Sequence, residues 1–412
     1  MSTAAARRRP RPDSAPVTAL LAGLAAMAPL SVYMPLPALP RIADGLGAEV
    51  AATQLVISAF LLGFAVAQLA YGPLSDRYGR RPVVLGGLAL YLVAGIACAV
   101  APSIDWMIGG RFAQGLGACA APVVARAVVR DLHDGVRAAR ILSLLATGMS
   151  LAPILAPIVG AYVVIGFDWR AVFVVLALSA AVLIAATGTM LGETNRGIGG
   201  APLSLGRMLA NYWRILTLNR FAVFAVPIGG LAAGLLSFLS GAPFVLIQLY
   251  GVGADGFALC FAIVMAGQIT GAILSARLGG RLGVERAVLI GLGIAAVGGV
   301  LLAGLAWAGV TGVAAFIGPM AVFMLGNGFL QPNATAGALQ PFPHIAGSAS
   351  ALIGFIQFAS GALAGVLMGH LYNDSARPVA TMICFFSLLA GLGHIVVRRA
   401  GRGTPAHPGA TP

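Results

Sequence analysis

An all-α membrane protein is what this sequence predicts: twelve transmembrane helices in two six-helix bundles, with both termini cytoplasmic. Three observations carry the prediction. Only 9% of the residues are charged while 59% are hydrophobic, whereas soluble domains are about 25% charged. Long apolar runs recur between short polar clusters, and most reach the ~20 residues that cross ~30 Å of hydrocarbon. A membrane β-barrel would instead show ~10-residue alternating segments. Third, the arginines fall on alternate connections, and retention of basic loops in the cytoplasm sets the orientation.

The runs lie at roughly 17–39, 52–74, 82–101, 106–129, 141–166, 170–191, 220–247, 257–278, 286–308, 313–338, 346–371 and 377–397. They define a cytoplasmic tail (1–16), an N-terminal bundle (17–191), a cytoplasmic linker (192–219), a C-terminal bundle (220–397) and a second tail (398–412). All 25 basic residues are arginine. Every one is on the cytoplasmic side except Arg41, Arg170 and Arg377 opposite and Arg111 inside a span. The formal charge of +13 is therefore an orientation signal, and no nucleic-acid partner is expected.

The first span, "TALLAGLAAMAPLSVYMPLPALP", follows "MSTAAARRRPRP". It is too long for a cleaved signal, and "MPLPALPRI" lacks the small-residue cleavage pattern. Tyr33 sits in its middle. Between the second and third spans, "YGPLSDRYGRRP" (71–82) packs Asp76, Arg77, Arg80 and Arg81 into one turn. Gly72 and Gly79 permit the reversal, and the arginines hold the loop inside. Asp76 gives the topology rule nothing. It can pair with neighbouring arginines or sit at a helix N-terminus, latching the two halves and releasing when they rock.

Arg111 lies some five residues inside the fourth span. An arginine at helix centre costs ~2.5–3.5 kcal/mol on insertion scales, so it should face a cavity and have a partner; the alternative is that it snorkels to the surface. Gln114 is one turn on, on the same face. In the fifth span, "GMSLAPILAPIVGAY", Ala152, Ala156 and Gly160 repeat every four residues and allow close helix approach, while Pro153 and Pro157 bend the helix.

The longest polar interruption, Gly192–Arg220, follows six spans. Within it, Leu203–Leu216 has helical apolar spacing with Arg207 and Arg214, which suits a helix on the membrane surface; a plain tether is the alternative. "DRYGRRPVVLGG" (76–87) aligns with "GRLGVERAVLIG" (280–291), so the second half repeats the first with Gly280 in place of Asp76. Internal repeats of six spans mark secondary transporters. No Gly-rich phosphate loop is present, so ATP is not the expected energy source.

In the tenth span, "GNGFLQPNATAG" sets Gly326, Gly328 and Pro332 beside Asn327, Gln331 and Asn333. Interrupted helices with polar side chains are typical midplane ligand sites; polar packing between helices is the equal competitor. Gln68, Gln268 and Gln357 either line the pathway or join helices. His344 and His370 fall in a loop and near a helix end, so neither reads as a proton relay. Cys98, Cys119, Cys260 and Cys384 lie in apolar segments and read as packing residues, not disulfides or metal ligands. No cofactor is expected.

"GPLSDRYGRRP" resembles the signature loop of the major facilitator superfamily, G-x-L-[AS]-D-R-x-G-R-[RK]. The chain is similar nearly end to end to the bicyclomycin/chloramphenicol-resistance (Bcr/CflA) branch of its drug exporters. The likeness runs through "LPALPRIADGLGA" (36–48), "IGGRFAQGLGA" (108–118), "VVARAVVRDL" (123–132), "LAPILAPIVGAYV" (151–163), "DWRAVF" (168–173), "GAPFVLIQLYGV" (241–252) and "PNATAGALQPFPHIAGSASALIG" (332–354). It implies the major facilitator fold, export of xenobiotics in exchange for protons, and a coupling role for Arg111. The fifth span resembles the exporters' antiporter motif, g-x-x-x-G-P-x-x-G-G, with alanine for three of its glycines.

One departure bears on mechanism. Relatives commonly carry an acid mid-way along the first span, where this chain has Tyr33. All twelve acids fall in tails, loops or helix ends. A proton-coupled exporter needs a group titrating near neutrality, which arginine and tyrosine, with a reference pKa of ~10, do not supply. Tyr33 can instead hydrogen-bond or stack on an aromatic substrate. Three readings stay open: a terminal acid such as Asp76 carries the proton, the substrate's own charge is exchanged against Arg111, or transport is passive.

The expected function is secondary active efflux of small, phenicol-like or multidrug xenobiotics across the inner membrane by alternating access, as a monomer among membrane lipid and with protons as the exchanged ion. The alternative is a facilitator or importer of a small metabolite that is not proton-coupled. The spans hold no paired acids, His–Glu metal pattern or nucleophile–base pair, so no enzyme is expected.

Overall fold

The computed structural model describes residues 14–195, 197 and 205–402. The tail arginines Arg7, Arg8, Arg9 and Arg11, and Arg196 of the linker, lie outside the described residues, as does most of the C-terminal tail. Among the described residues, twelve helices are long and apolar enough to cross a membrane, and there is no strand. The spans are Ala15–Leu46, Val50–Tyr78, Arg80–Ala99, Ile104–Leu132, Gly135–Gly166 and Trp169–Met190, then Asn219–Leu249, Ala254–Leu282, Val284–Trp307, Val313–Leu339, Pro343–Leu371 and Arg377–Ala400. The chain divides into two compact units, Met1–Leu203 and Ser204–Pro412.

Several spans depart from straight runs. The first is a helix to Tyr33, a tight turn, a 3-10 turn at Leu36–Ala38 and a short helix Leu39–Leu46. Pro35, Pro37 and Pro40 remove the amide protons that a continuous helix would need there. Tyr33 therefore sits at a break rather than in mid-helix. The fourth span is divided at Cys119 into Ile104–Ala118 and Ala120–Leu132. The seventh ends in a π-helical turn, Phe244–Leu249, directly after Pro243. The fifth runs unbroken from Gly135 to Gly166 through both prolines. The tenth is likewise one helix, Val313–Leu339; the interruption expected at Gly326, Gly328 and Pro332 does not occur.

Close packing explains those glycines. A side chain at Gly328 would strike the Gln268 carbonyl of the eighth span, and one at Gly326 the backbone of Ala295 in the ninth. The first unit uses the same device. Gly63 and Gly115 bring the second and fourth spans together across the Phe112 and Phe60 carbonyls, and Gly117 lies against Gly87 and Tyr91 of the third. Without a hydrophobic force between helices in lipid, this close approach supplies the contact energy. The linker carries a helix, Leu205–Leu216, resolving the choice between helix and tether.

Candidate functional site

Arg111 is fully buried in the first unit, which excludes the snorkelling alternative. The Gly63–Gly115 approach sets the second span beside it, and every part of the guanidinium is used. Nε donates to the Val56 carbonyl at 3.3 Å, Nη2 to the Ser31 carbonyl at 2.9 Å and Nη1 to Gln114 Oε1 at 2.7 Å. Its carbon stands 4.3 Å over the Phe60 ring and 5.8 Å from that of Phe173. Among the described residues no carboxylate pairs with it. The charge is held by carbonyl dipoles, one amide and two aromatic faces. Gln114, also fully buried, uses its oxygen this way and leaves Nε2 without a partner.

Ser31 links this cluster to the break in the first span. Its hydroxyl donates to the Met27 carbonyl and bonds the Tyr91 hydroxyl at 2.6 Å, while its carbonyl receives Arg111. Tyr33, half-buried, follows two residues later. The fifth span meets the same break. A side chain at Gly160 would collide with the Met34 carbonyl, and Ala152, Ala156 and Pro157 are buried on that helix with it, whereas Pro153 is partly exposed. Ser31, Phe60, Tyr91 and Phe173 carried no sequence signal, because each is an ordinary residue for an apolar helix.

The loop between the second and third spans forms a second cluster. Asp76 takes Arg80 Nη1 at 2.5 Å, and the same nitrogen reaches Ser75 Oγ at 2.7 Å. Arg80 Nε donates to Asp131 Oδ2 at 2.9 Å. Asp76 thus pairs with a neighbouring arginine, and Asp131, at the end of the fourth span, is a member that sequence reasoning did not find. Gly79 makes the reversal at φ +98°. Gly72 does not: it lies within the Val50–Tyr78 helix with open space beside it. Arg77 stacks on the adjacent Tyr78, and Arg81 Nη2 donates to the Gly188 carbonyl at 2.8 Å.

Glu193, just past the sixth span, closes this cluster. Its Oε1 accepts from the backbone amides of Arg80, Thr194 and Asn195, and its Oε2 from that of Arg81. The carboxylate therefore caps the positive end of the third span from another segment. Asn195 Nδ2 donates to the Asp76 carbonyl and Thr194 Oγ1 to Asp131. The visible signal was the polar run "GETN" directly after an apolar span.

In the second unit Asn333 Nδ2 donates to Ser275 Oγ at 2.6 Å and to the Phe329 carbonyl, and Asn327 is buried. His394, which sequence reasoning passed over, is fully buried in the twelfth span. Its Nδ1 lies 2.8 Å from the Val223 carbonyl; a carbonyl only accepts, so Nδ1 carries the proton. Its Nε2 has no partner. Among the described residues no group of His, Cys, Asp and Glu could hold a metal ion.

Comparison with known proteins bears on the chain as a whole. The profile of the Major Facilitator Superfamily matches residues 21–365. A bicyclomycin resistance protein homolog of Haemophilus influenzae is 30% identical over 86% of this chain and 89% of its own length. The chloramphenicol resistance protein of Pseudomonas aeruginosa is 30% identical over 94% and 92%, and multidrug resistance protein D of Escherichia coli 31% over 94% and 97%. Among solved structures, a D-xylose–proton symporter superposes with a TM-score of 0.74 at 13% identity, over 93% of this chain and 96% of that one. That likeness speaks to the fold alone.

Proposed function

The chain belongs to the Major Facilitator Superfamily, a transporter of the inner membrane rather than an enzyme, and from that premise we propose that it exports small xenobiotics by alternating access in exchange for protons. The single observation that carries the reading is Arg111. A fully buried cation without a carboxylate partner is costly in a membrane and is retained for a task. Its free neighbour, Gln114 Nε2, adds a hydrogen-bond donor suited to the oxygens of a phenicol-like compound. The full-length relatives are named for resistance to bicyclomycin, chloramphenicol and multiple drugs, which supports export over import.

In this reading Tyr33, Arg111 and Gln114 couple substrate binding in the first unit, and Asn327 and Asn333 supply polar contacts in the second. Asp76, Arg77, Gly79, Arg80 and Arg81 form the cytoplasmic gate loop, and Ala152, Pro153, Ala156, Pro157 and Gly160 the antiporter helix. The proton is carried by a carboxylate at a span end. Asp76 and Asp131, which share Arg80, are the pair placed for it, because the carboxylate that takes up the proton gives up its own ion pair with the arginine. One observation favours the runner-up, a facilitator that is not proton-coupled: all twelve acids lie away from mid-membrane.

Inverted vesicles containing the purified protein decide between the two. Phenicol uptake that collapses when an imposed pH gradient is removed, and that Arg111→Ala abolishes, is the expected result. Uptake indifferent to the gradient would sink proton exchange and leave the facilitator. Tyr33→Asp restores an acid at the first-span position and, on the antiport reading, changes the pH dependence of uptake rather than abolishing it.

A further inference from the structure

The second unit contains a groove that the transport reading does not use. It lies between the seventh, eleventh and twelfth spans and encloses about 380 Å³, within the size range of ligand sites. Ala222, Val226 and Gly230 of the seventh span follow one another at four-residue steps and form its floor. Gly230 lets the seventh and twelfth spans approach closely at the base of the groove, since a side chain there would press on Ala390. Leu363 and Leu389 form the walls and are 60% and 47% exposed; inside a bilayer such residues face lipid. Ser360 is the lining's one hydroxyl. From Ala222 to Ala233, both lining residues, the seventh span rises roughly 16 Å, close to one leaflet of a ~30 Å hydrocarbon core.

The mouth is built differently. Leu216, the last residue of the linker helix, lines it. That helix buries Tyr212 and Ile215 and packs on the seventh and eleventh spans. Leu209, Trp213 and Leu216 stay exposed. Their spacing puts them on one face, and an exposed apolar stripe bearing a tryptophan is suited to the membrane–water boundary. Arg214 and Arg220 are exposed at the same end of the groove, and no carboxylate pairs with either among the described residues. The sequence has no acid between Glu193 and Asp255, so the rim is uniformly basic.

We infer that this groove is a phospholipid site, in which one acyl chain lies along Ala222, Val226 and Gly230 and an anionic headgroup rests at the rim against Arg214 and Arg220. The chemistry selects lipid over a transported compound. The groove is one leaflet long, is continuous with the lipid-facing surface, has almost no polar group to orient a drug, and places its charge only at the interface.

Native mass spectrometry on the full chain, released from nanodiscs of equal dioleoyl-phosphatidylglycerol and dioleoyl-phosphatidylcholine, tests this. One retained lipid is expected, with phosphatidylglycerol favoured by roughly 30-fold, since each interfacial arginine contributes about fivefold. Arg214→Gln with Arg220→Gln should abolish the preference yet keep one lipid bound. Ala222→Phe with Val226→Phe should abolish retention, while the gel-filtration profile stays that of the native protein. Equal retention of both lipids by the native protein, or undiminished retention after the groove is filled, would overturn the assignment. So would displacement of the lipid by an equimolar transported phenicol, which would make the groove a substrate entrance. The rim variant, being on the exposed surface, keeps the test decisive if the filled variant does not fold.

Discussion

Arg111 separates function from stability in a way that one substitution can read. Replacing it with methionine removes a buried charge that has no carboxylate to strand, and the Val56 carbonyl is already bonded within its helix; the Ser31 carbonyl is not, because the residue four on is Pro35, which has no amide proton. Gln114 Oε1 and the Ser31 carbonyl are left unpartnered, at about 1–3 kcal/mol each, set against the relief of a desolvated cation. Arg111→Met should therefore melt within a few degrees of the native protein, measured by thermal unfolding in detergent, yet fail to move drug in vesicles. A large fall in melting temperature would recast Arg111 as structural. Gly160 gives the opposite signature. Any side chain there runs into the Met34 carbonyl, so Gly160→Val should destabilise by about 1–3 kcal/mol as overpacking does, with a clear drop in melting temperature. At this scale the sequence was legible where chemistry stands out against hydrocarbon: an arginine in an apolar run, an acid among arginines. It was silent on Ser31, Phe60, Tyr91 and Phe173, because their types are ordinary for a span and only the convergence of four helices makes them partners. His394 escaped for a related reason. Sequence position does not tell a histidine facing lipid from one donating to the Val223 carbonyl.

Elements were predicted well where apolar length decides them and less well where proline or capping does. The twelve runs all correspond to spans, since hydrocarbon thickness imposes their length. The prolines were harder to read. Those at 35, 37 and 40 break the first span, whereas Pro153, Pro157 and Pro332 sit inside unbroken helices, because packed neighbours can re-satisfy the freed carbonyls in a membrane helix. Capping between distant segments was not legible at all. Glu193 reaches the start of the third span from 113 residues away, and no local pattern announces it. Its carboxylate takes four backbone amides, so Glu193→Ala should loosen both the third-span start and the linker that follows. A loss of roughly 0.5–2 kcal/mol fits the cost of removing a helix cap, and limited proteolysis should cut the linker faster. Glu193→Gln, which keeps one oxygen for the three amides on Oε1 but loses the charge and the Oε2 acceptor of the Arg81 amide, should lose only part of this; an effect as large as alanine's would mean that the charge and the Arg81 contact, rather than the three bonds to Oε1, hold the segment.

At the scale of the whole molecule the arginine distribution makes the sharpest claim, because it concerns every loop at once. Basic residues cluster at both tails, the 76–81 turn, the linker and the 277–286 connection, against Arg41, Arg170 and Arg377 on the opposite loops. Each arginine left on the wrong side must cross the bilayer during insertion, so the bias acts cumulatively on orientation. The expected arrangement has both ends in the cytoplasm. Alkaline phosphatase, active only outside, should be inactive when fused after Pro412 and active when fused after Asp374, between the last two spans; green fluorescent protein should report the reverse. Activity after Pro412 would invert the whole protein, place the Asp76–Arg80–Asp131 cluster outside, and with it turn the proposed proton path to face the wrong compartment. The same fusions on a chain with Arg77, Arg80 and Arg81 changed to glutamine give the finer result. If the remaining loops suffice, orientation holds while transport is lost, because Arg80 binds both acids as well as contributing charge. Mixed orientation would show instead that this one turn, and not the sum of all loops, decides how the molecule enters the membrane.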